Sequence, residues 1–217
     1  ENLQRSGQKQ TRNAELTKAK ILECATRELS QKGFAGARVS GITKRAGVNI
    51  NLAYHYFSGK EGLFIAVMER AYKIIRSHHN DTEIRGLDPI EAMEKLVRST
   101  FQLFSKHPEI IGLLNAEKLH GASHIKKSKE IETLYHPLLE AIEGILERGA
   151  KEGKFRSNVN PVDLFISINA EGYMFLSNCH TLGFVLNENL LDPDRIRQRE
   201  EHIVKVILYF LQFHPPR

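Results

Sequence analysis

Only two cysteines occur among the 217 residues, and no stretch approaches the roughly 20 unbroken apolar residues that a membrane-spanning helix needs. Cys24 and Cys179 lie far apart within apolar helical patterns, which reads as packed thiols in a reducing cytoplasm, with a lone disulfide as the alternative. The polar start from Glu1 to Asn13 lacks the apolar core of a signal peptide. The chain opens on Glu1 rather than Met, and its first residues are expected to be a processed, disordered end with no functional weight. No alternating β-branched run is long enough to argue for a sheet, and neither internal repeats nor low-complexity tracts are present. These absences leave a cytoplasmic, all-α protein without membrane contact, long enough to bury a core unaided by disulfides or metals.

Charge is unevenly distributed. Residues 1–60 carry eleven Lys or Arg against four Glu, a net +7, whereas the remainder is net −2. A basic first quarter on a slightly acidic remainder suggests a polyanion-binding module joined to a domain with another task. The expected organisation is a flexible basic tail over 1–13, a basic domain over 14–60 suited to a polyanion, nucleic acid or membrane surface, and a larger helical domain over 61–217. Periodicity predicts helices over Ala14–Gln31, with Gly33 placed as a stop, Ser40–Ala46, Ile50–Phe57 and one from Ser58, where Ser58-Gly59-Lys60-Glu61 has capping-box spacing. Further helices are expected over Pro89–Lys106, Glu109–Gly121, Ile125–Glu152, Pro161–Thr181 and Asp194–Phe213. The last two are apolar on more than one stripe, so a second copy of the chain is expected to cover the extra face.

The informative stretch runs from Val39 to Glu61. Ile42, Ala46, Val48, Ala53 and Phe57 can pack inside a short helix pair, and Gly47 supplies the turn between them. In such a helix-turn-helix the second helix enters the major groove, with early exposed residues on base edges and flanking polar groups on phosphates.

The ordered positions Ile21-Leu22, Gly33-Phe34, Ile42, Ala46-Gly47-Val48, Tyr54, Tyr56-Phe57, Lys60-Glu61 and Leu63 resemble the TetR family of one-component transcriptional regulators. Leu114 to Asn178 is in addition faintly similar to the pyrimidine-utilisation and nicotinate-catabolism regulators. The resemblance implies a three-helix DNA-binding domain, a linking fourth helix, a helical ligand-binding domain and a homodimer through the helices near 161–181 and 194–213. It implies a repressor, not an enzyme, needing no cofactor or metal, and released from a palindromic operator by a small-molecule effector. Tyr54 and Lys60 match the family's phosphate-contacting positions. Asn49, Ile50 and Asn51 open the recognition helix, where Asn suits adenine and Ile a thymine methyl. Arg38, Ser40, Lys44, Leu52, His55 and Tyr56 complete the candidate DNA-facing set, Tyr56 being equally readable as packing, and Arg5, Lys9 and Arg12 belong to a tail that could reach a neighbouring groove. Arg38 stands where the family has a Ser or Thr cap, and Thr43, Leu52 and Ala53 also depart from its pattern.

Polar residues interrupting apolar helices, Asn115, Glu117, Glu171 and Asn178, together with Phe175, are the candidates for effector binding, Glu117 and Glu171 being equally readable as structurally paired or solvent-facing. His120 and His124, at i and i+4 with Glu117 near, read either as ordinary polar positions or as part of a metal site. The rival functions are therefore a small metal-dependent hydrolase or a helical ligand-binding protein without DNA function.

Overall fold

The computed structural model describes residues 2–78, 84, 86–134 and 136–213, with side chains from Asn13 onward except that of His136. The described residues are helical or irregular, with no strand among them, and no helix among them is long and apolar enough to cross a membrane. They fall into two compact units. The first comprises Glu1–Tyr72 with Glu109–Glu132, and the second Lys73–Pro108 with Thr133–Arg217.

In the first unit, α1 (Asn2–Gly36) extends back through the stretch expected as a tail, and Arg5, Lys9 and Arg12 have side chains outside the described set. Gly33 interrupts it with φ 66° and ψ 178°, a conformation that favours a residue without Cβ, so the expected stop is realised as a kink. Next come α2 (Val39–Ala46), α3 (Ile50–Phe57) and α4 (Lys60–His78). Ile21, Ala25, Leu29, Ile42, Ala53, Leu63, Phe64 and Met68 are almost wholly buried, so each short helix turns its apolar stripe inward. α6 (Pro108–Lys118) belongs here too: a Cβ on Gly112 would stand 2.3 Å from the Ser30 carbonyl oxygen, so its backbone lies directly on α1.

Glu28 ties α1 to α2. Its side chain is 3% exposed and accepts hydrogen bonds from Lys32 and from Arg45, each at 2.8 Å. The Lys32 hydrogen bond, with that of Arg45, holds the carboxyl below the ordinary carboxylate range against the opposing effect of burial. A depressed folded value means that the stabilisation is present at neutral pH and is lost as pH falls below that range. Glu28→Gln should therefore cost about 1 to 3 kcal/mol at pH 7 in urea unfolding, and the gap to wild type should narrow in acid. A gap independent of pH would contradict this ion-pair account.

The second unit is built around α5 (Pro89–Lys106), where the Asp88 side chain accepts from the Ile90 N–H at 2.9 Å and Pro89 occupies the first turn. Met93, Leu96, Val97, Phe101, Leu103 and Phe104 bury most of its circumference. Against it pack α8 (His136–Lys151), α9 (Pro161–Ser177) and α11 (Pro193–Gln212). Asn160 and Asp192 cap the last two, each followed by Pro.

Three expected helices differ. The segment expected as a helix over 125–152 divides into a 3-10 turn (Ile125–Lys127), α7 (Lys129–Leu134) and α8. Ser128 is extended there and its hydroxyl accepts from Ile131 N–H, while Pro137, lacking an N–H, suits only the first turn of a new helix. The helix expected to reach Thr181 stops at Ser177, and α10 (Cys179–Leu186) follows. Ser58 does not cap α4: it ends α3 in the left-handed region with φ 56°, and its N–H donates to the Tyr54 carbonyl. Both cysteines are free thiols, Cys179 buried and Cys24 half-buried.

Candidate nucleic-acid interface

The turn between α2 and α3 is made by Gly47, left-handed at φ 68° and ψ 33°, whose N–H donates to the Lys44 carbonyl at 3.3 Å. Val48 N–H then donates to the Thr43 carbonyl at 3.1 Å, closing the end of α2. As expected, Arg38 provides no side-chain cap for α2. The Asn49 Oδ1 accepts from the Asn51 N–H at 2.8 Å and starts α3. Half of the Asn49 amide is thereby committed to the helix end, which leaves its NH2 group and the whole of Asn51 for a ligand.

With Ala53 buried, α3 turns Asn51, Tyr54 and His55 outward, and Arg38, Ser40, Lys44 and Asn49 are exposed beside them. Ile50, Leu52, Tyr56 and Lys60 are half-buried. The Tyr56 ring packs 5.3 Å from that of His55 and 5.4 Å below the Lys18 ammonium. Lys60 opens α4 with its ammonium on the Ala35 carbonyl at 3.3 Å and over the Phe34 ring at 4.9 Å. A long, weak hydrogen bond of this kind is readily exchanged for a phosphate oxygen.

Behind these residues lies a cluster that sequence reasoning did not assemble. The Phe34 ring sits 4.5 Å from His124 and 5.3 Å from Phe64. Glu117, a candidate for effector binding that reads equally as structurally paired, is a buried acceptor for the His124 and Ile125 N–H groups and meets His124 Nδ1 at 2.7 Å. Among the described residues no three His, Cys, Asp or Glu side chains are grouped to hold a metal. The signal in the sequence was Gly112 within a helix, whose use is the close approach to α1.

The effector candidates divide between the units, Asn115 and Glu117 in the first and Glu171, Phe175 and Asn178 in the second. Phe175 is buried beneath the Arg195 and Arg199 guanidinium groups, and the Asn178 amide donates to the Met174 carbonyl at the end of α9. Glu171 pairs with Arg199 and lines a cavity of about 430 Å³ between α9 and α11.

A short helix pair joined at a left-handed glycine, with a polar outward row on its second helix, defines a helix-turn-helix DNA-binding protein. Residues 21–67 match the family described as bacterial regulatory proteins, tetR family, and residues 89–207, over half of the chain, match the tetracyclin repressor-like C-terminal domain. The chain belongs to the TetR family of bacterial regulatory proteins, which are regulators rather than enzymes. It is 31% identical to the HTH-type transcriptional repressor NicS of Pseudomonas putida, over 82% of this chain and 84% of that one. It is 24% identical to the HTH-type transcriptional regulator RutR of Escherichia coli, over 92% of each chain. These are the nicotinate- and pyrimidine-utilisation regulators that the stretch from Leu114 to Asn178 resembles. The fold is shared with the transcriptional regulator SCO4942 from Streptomyces coelicolor, with a TM-score of 0.67 at 22% identity over 90% of this chain and 98% of that one. Regulators of this family bind operator DNA and small-molecule ligands.

Proposed function

We propose that this regulator is a cytoplasmic, homodimeric repressor that a small-molecule effector releases from a palindromic operator. The observation that carries the reading is the outward row of α3, Asn51, Tyr54 and His55, flanked by exposed Arg38, Ser40 and Lys44 on the preceding helix. Asn51 and half-buried Ile50 would meet base edges, while Tyr54, Lys44 and Lys60 suit phosphates. Two copies would set their α3 helices about 34 to 36 Å apart, one DNA turn. The surface for pairing is an apolar stripe: Val162, Ile166 and Met174 on α9, and Val206, Tyr209, Phe210 and Phe213 around α11, are all more than a third exposed. An effector held in the second unit then favours a dimer whose reading heads no longer match successive grooves, and coupling of about 1 to 3 kcal/mol changes operator affinity roughly 5- to 150-fold.

Recovery of bound fragments from a genomic DNA library supplies the operator. On that duplex, Tyr54→Ala should weaken binding to specific and random DNA alike, whereas Asn51→Ala should cost about 1 to 3 kcal/mol on the operator and little on random duplex. Equal losses for Asn51→Ala on both would remove its base-reading role, and no salt-dependent binding of wild type to any duplex would overturn the regulatory reading.

A further inference from the structure

The second unit holds a smaller cavity, about 150 Å³, lined by Ile84, Pro137, Glu140, Ala141, Gly144, Ile145 and Arg148. Except for Ile84 these residues belong to α8, and Glu140, Gly144 and Arg148 fall at successive i, i+4 positions, which places them on one face of the helix. Two features of this face matter together. A Cβ on Gly144 would meet no heavy atom of the described residues within 4 Å, so a residue that weakens a helix interior leaves room here for a ligand. Arg148 also has a buried Nη2 with no hydrogen-bond partner. Arg199 has a buried Nε without a partner as well, but its Nη2 meets Glu171, while Arg98 meets Glu94 and Glu201, and Lys154 meets Asp88 and Glu152; no carboxylate pairs with Arg148 among the described residues. A buried guanidinium N–H left unsatisfied carries its full desolvation penalty, and the chemistry that removes the penalty is an anion able to accept from the guanidinium fork.

We infer that this cavity binds a small organic monocarboxylate, whose carboxylate accepts from Arg148 and whose apolar body lies over Gly144 and Ala141. The inference deepens the effector-responsive reading above and rests on it for the consequence at the operator. Planar bidentate recognition of a carboxylate is the geometry that Arg supplies and Lys does not. The volume, about 150 Å³, is of the size that holds a single benzene ring when enclosed, so the part of the ligand lying in the cavity is one small ring or short chain. Glu140, about 12 Å from Arg148 along the helix axis, sets a like charge at the far end and disfavours a second carboxylate. The larger cavity between α9 and α11 is less suited: its Glu171 is taken by Arg199, its Arg156 lies over the Phe210 ring at 5.0 Å, and Val206 and Phe210 belong to the stripe assigned to a second copy.

The test uses the full chain, with thermal unfolding, calorimetric titration and operator binding measured in the same preparations. The probes are benzoate, cyclohexanecarboxylate and propionate, the neutral isostere benzamide, and the dicarboxylate phthalate. At least one monocarboxylate should raise the unfolding temperature, benzamide and phthalate should not, and Arg148→Met should lower the affinity about tenfold or more. Gly144→Leu keeps Arg148 but fills the cavity, and it should abolish binding while the protein stays folded; this variant decides the matter if Arg148→Met does not fold. The inference is overturned if no monocarboxylate binds, if benzamide binds as well as benzoate, or if binding survives Gly144→Leu. Wild type that holds its operator but ignores every carboxylate overturns this inference alone. Wild type that holds no duplex overturns the regulatory reading, and the titrations still decide the cavity.

Discussion

Gly62→Ala should weaken operator binding at least tenfold although Gly62 is not among the candidate DNA-facing residues. A Cβ at this position would stand 1.8 Å from the Phe57 carbonyl oxygen, backbone that cannot swing away as a side chain would. The added methyl group must push the end of α3 from the start of α4, displacing Tyr54 and Lys60 relative to one another. Overpacking of this kind costs about 3 kcal/mol or more when the obstacle is backbone. The expected result is a fall in the urea midpoint together with at least a tenfold loss of affinity for both operator and random duplex. An unchanged midpoint with unchanged binding would show that α3 and α4 do not meet in this way.

The second large effect is expected at the apolar stripe. Ile166 is 56% exposed and Tyr209 69% exposed, so neither contributes much to the fold of one chain. In a two-fold dimer each substitution is met twice, and a pair of buried glutamates facing their own copies has no compensating partner. Ile166→Glu combined with Tyr209→Glu should leave the helical circular dichroism intact, halve the mass seen in sedimentation, and weaken operator binding about a hundredfold, near 2.8 kcal/mol. A variant that stays dimeric would move the interface elsewhere.

The helices legible in the sequence were those whose ends carry chemistry. α3 begins after the Asn49 cap and α5 after Asp88-Pro89, and both ranges were predicted without error. Gly33 and Gly47 likewise announced turns. The reading failed where the decisive interaction is distant or where apolar periodicity ran on unbroken. Ser58 has the spacing of a cap, but the close approach of Gly62 to Phe57 makes it the end of α3 instead. Asn178 interrupts the apolar run, but its neighbours do not distinguish a break between α9 and α10 from a polar residue inside one helix. Pro137 did carry a signal, which continuity of pattern outweighed. At the interface, the exposed row of α3 followed from helical spacing, whereas the engagement of Asn49 with its own helix and of Lys60 with Ala35 depends on geometry that spacing does not contain. Glu117 was recognised as an interruption of an apolar helix, but its partners stand on the turn after that helix, where the pattern gives no direction.

The packing of residues 109–132 with the first 72 residues bears on modularity. Exchange of reading heads at a sequence boundary near residue 60 would treat the helix-turn-helix as a cassette. In this chain such a graft would separate Phe34 from Phe64 and His124, and Ser30 from Gly112, leaving an apolar surface bare on the transplanted piece. A working chimera has to carry two segments from the same parent, the N-terminal stretch and the excursion from Glu109 to Glu132.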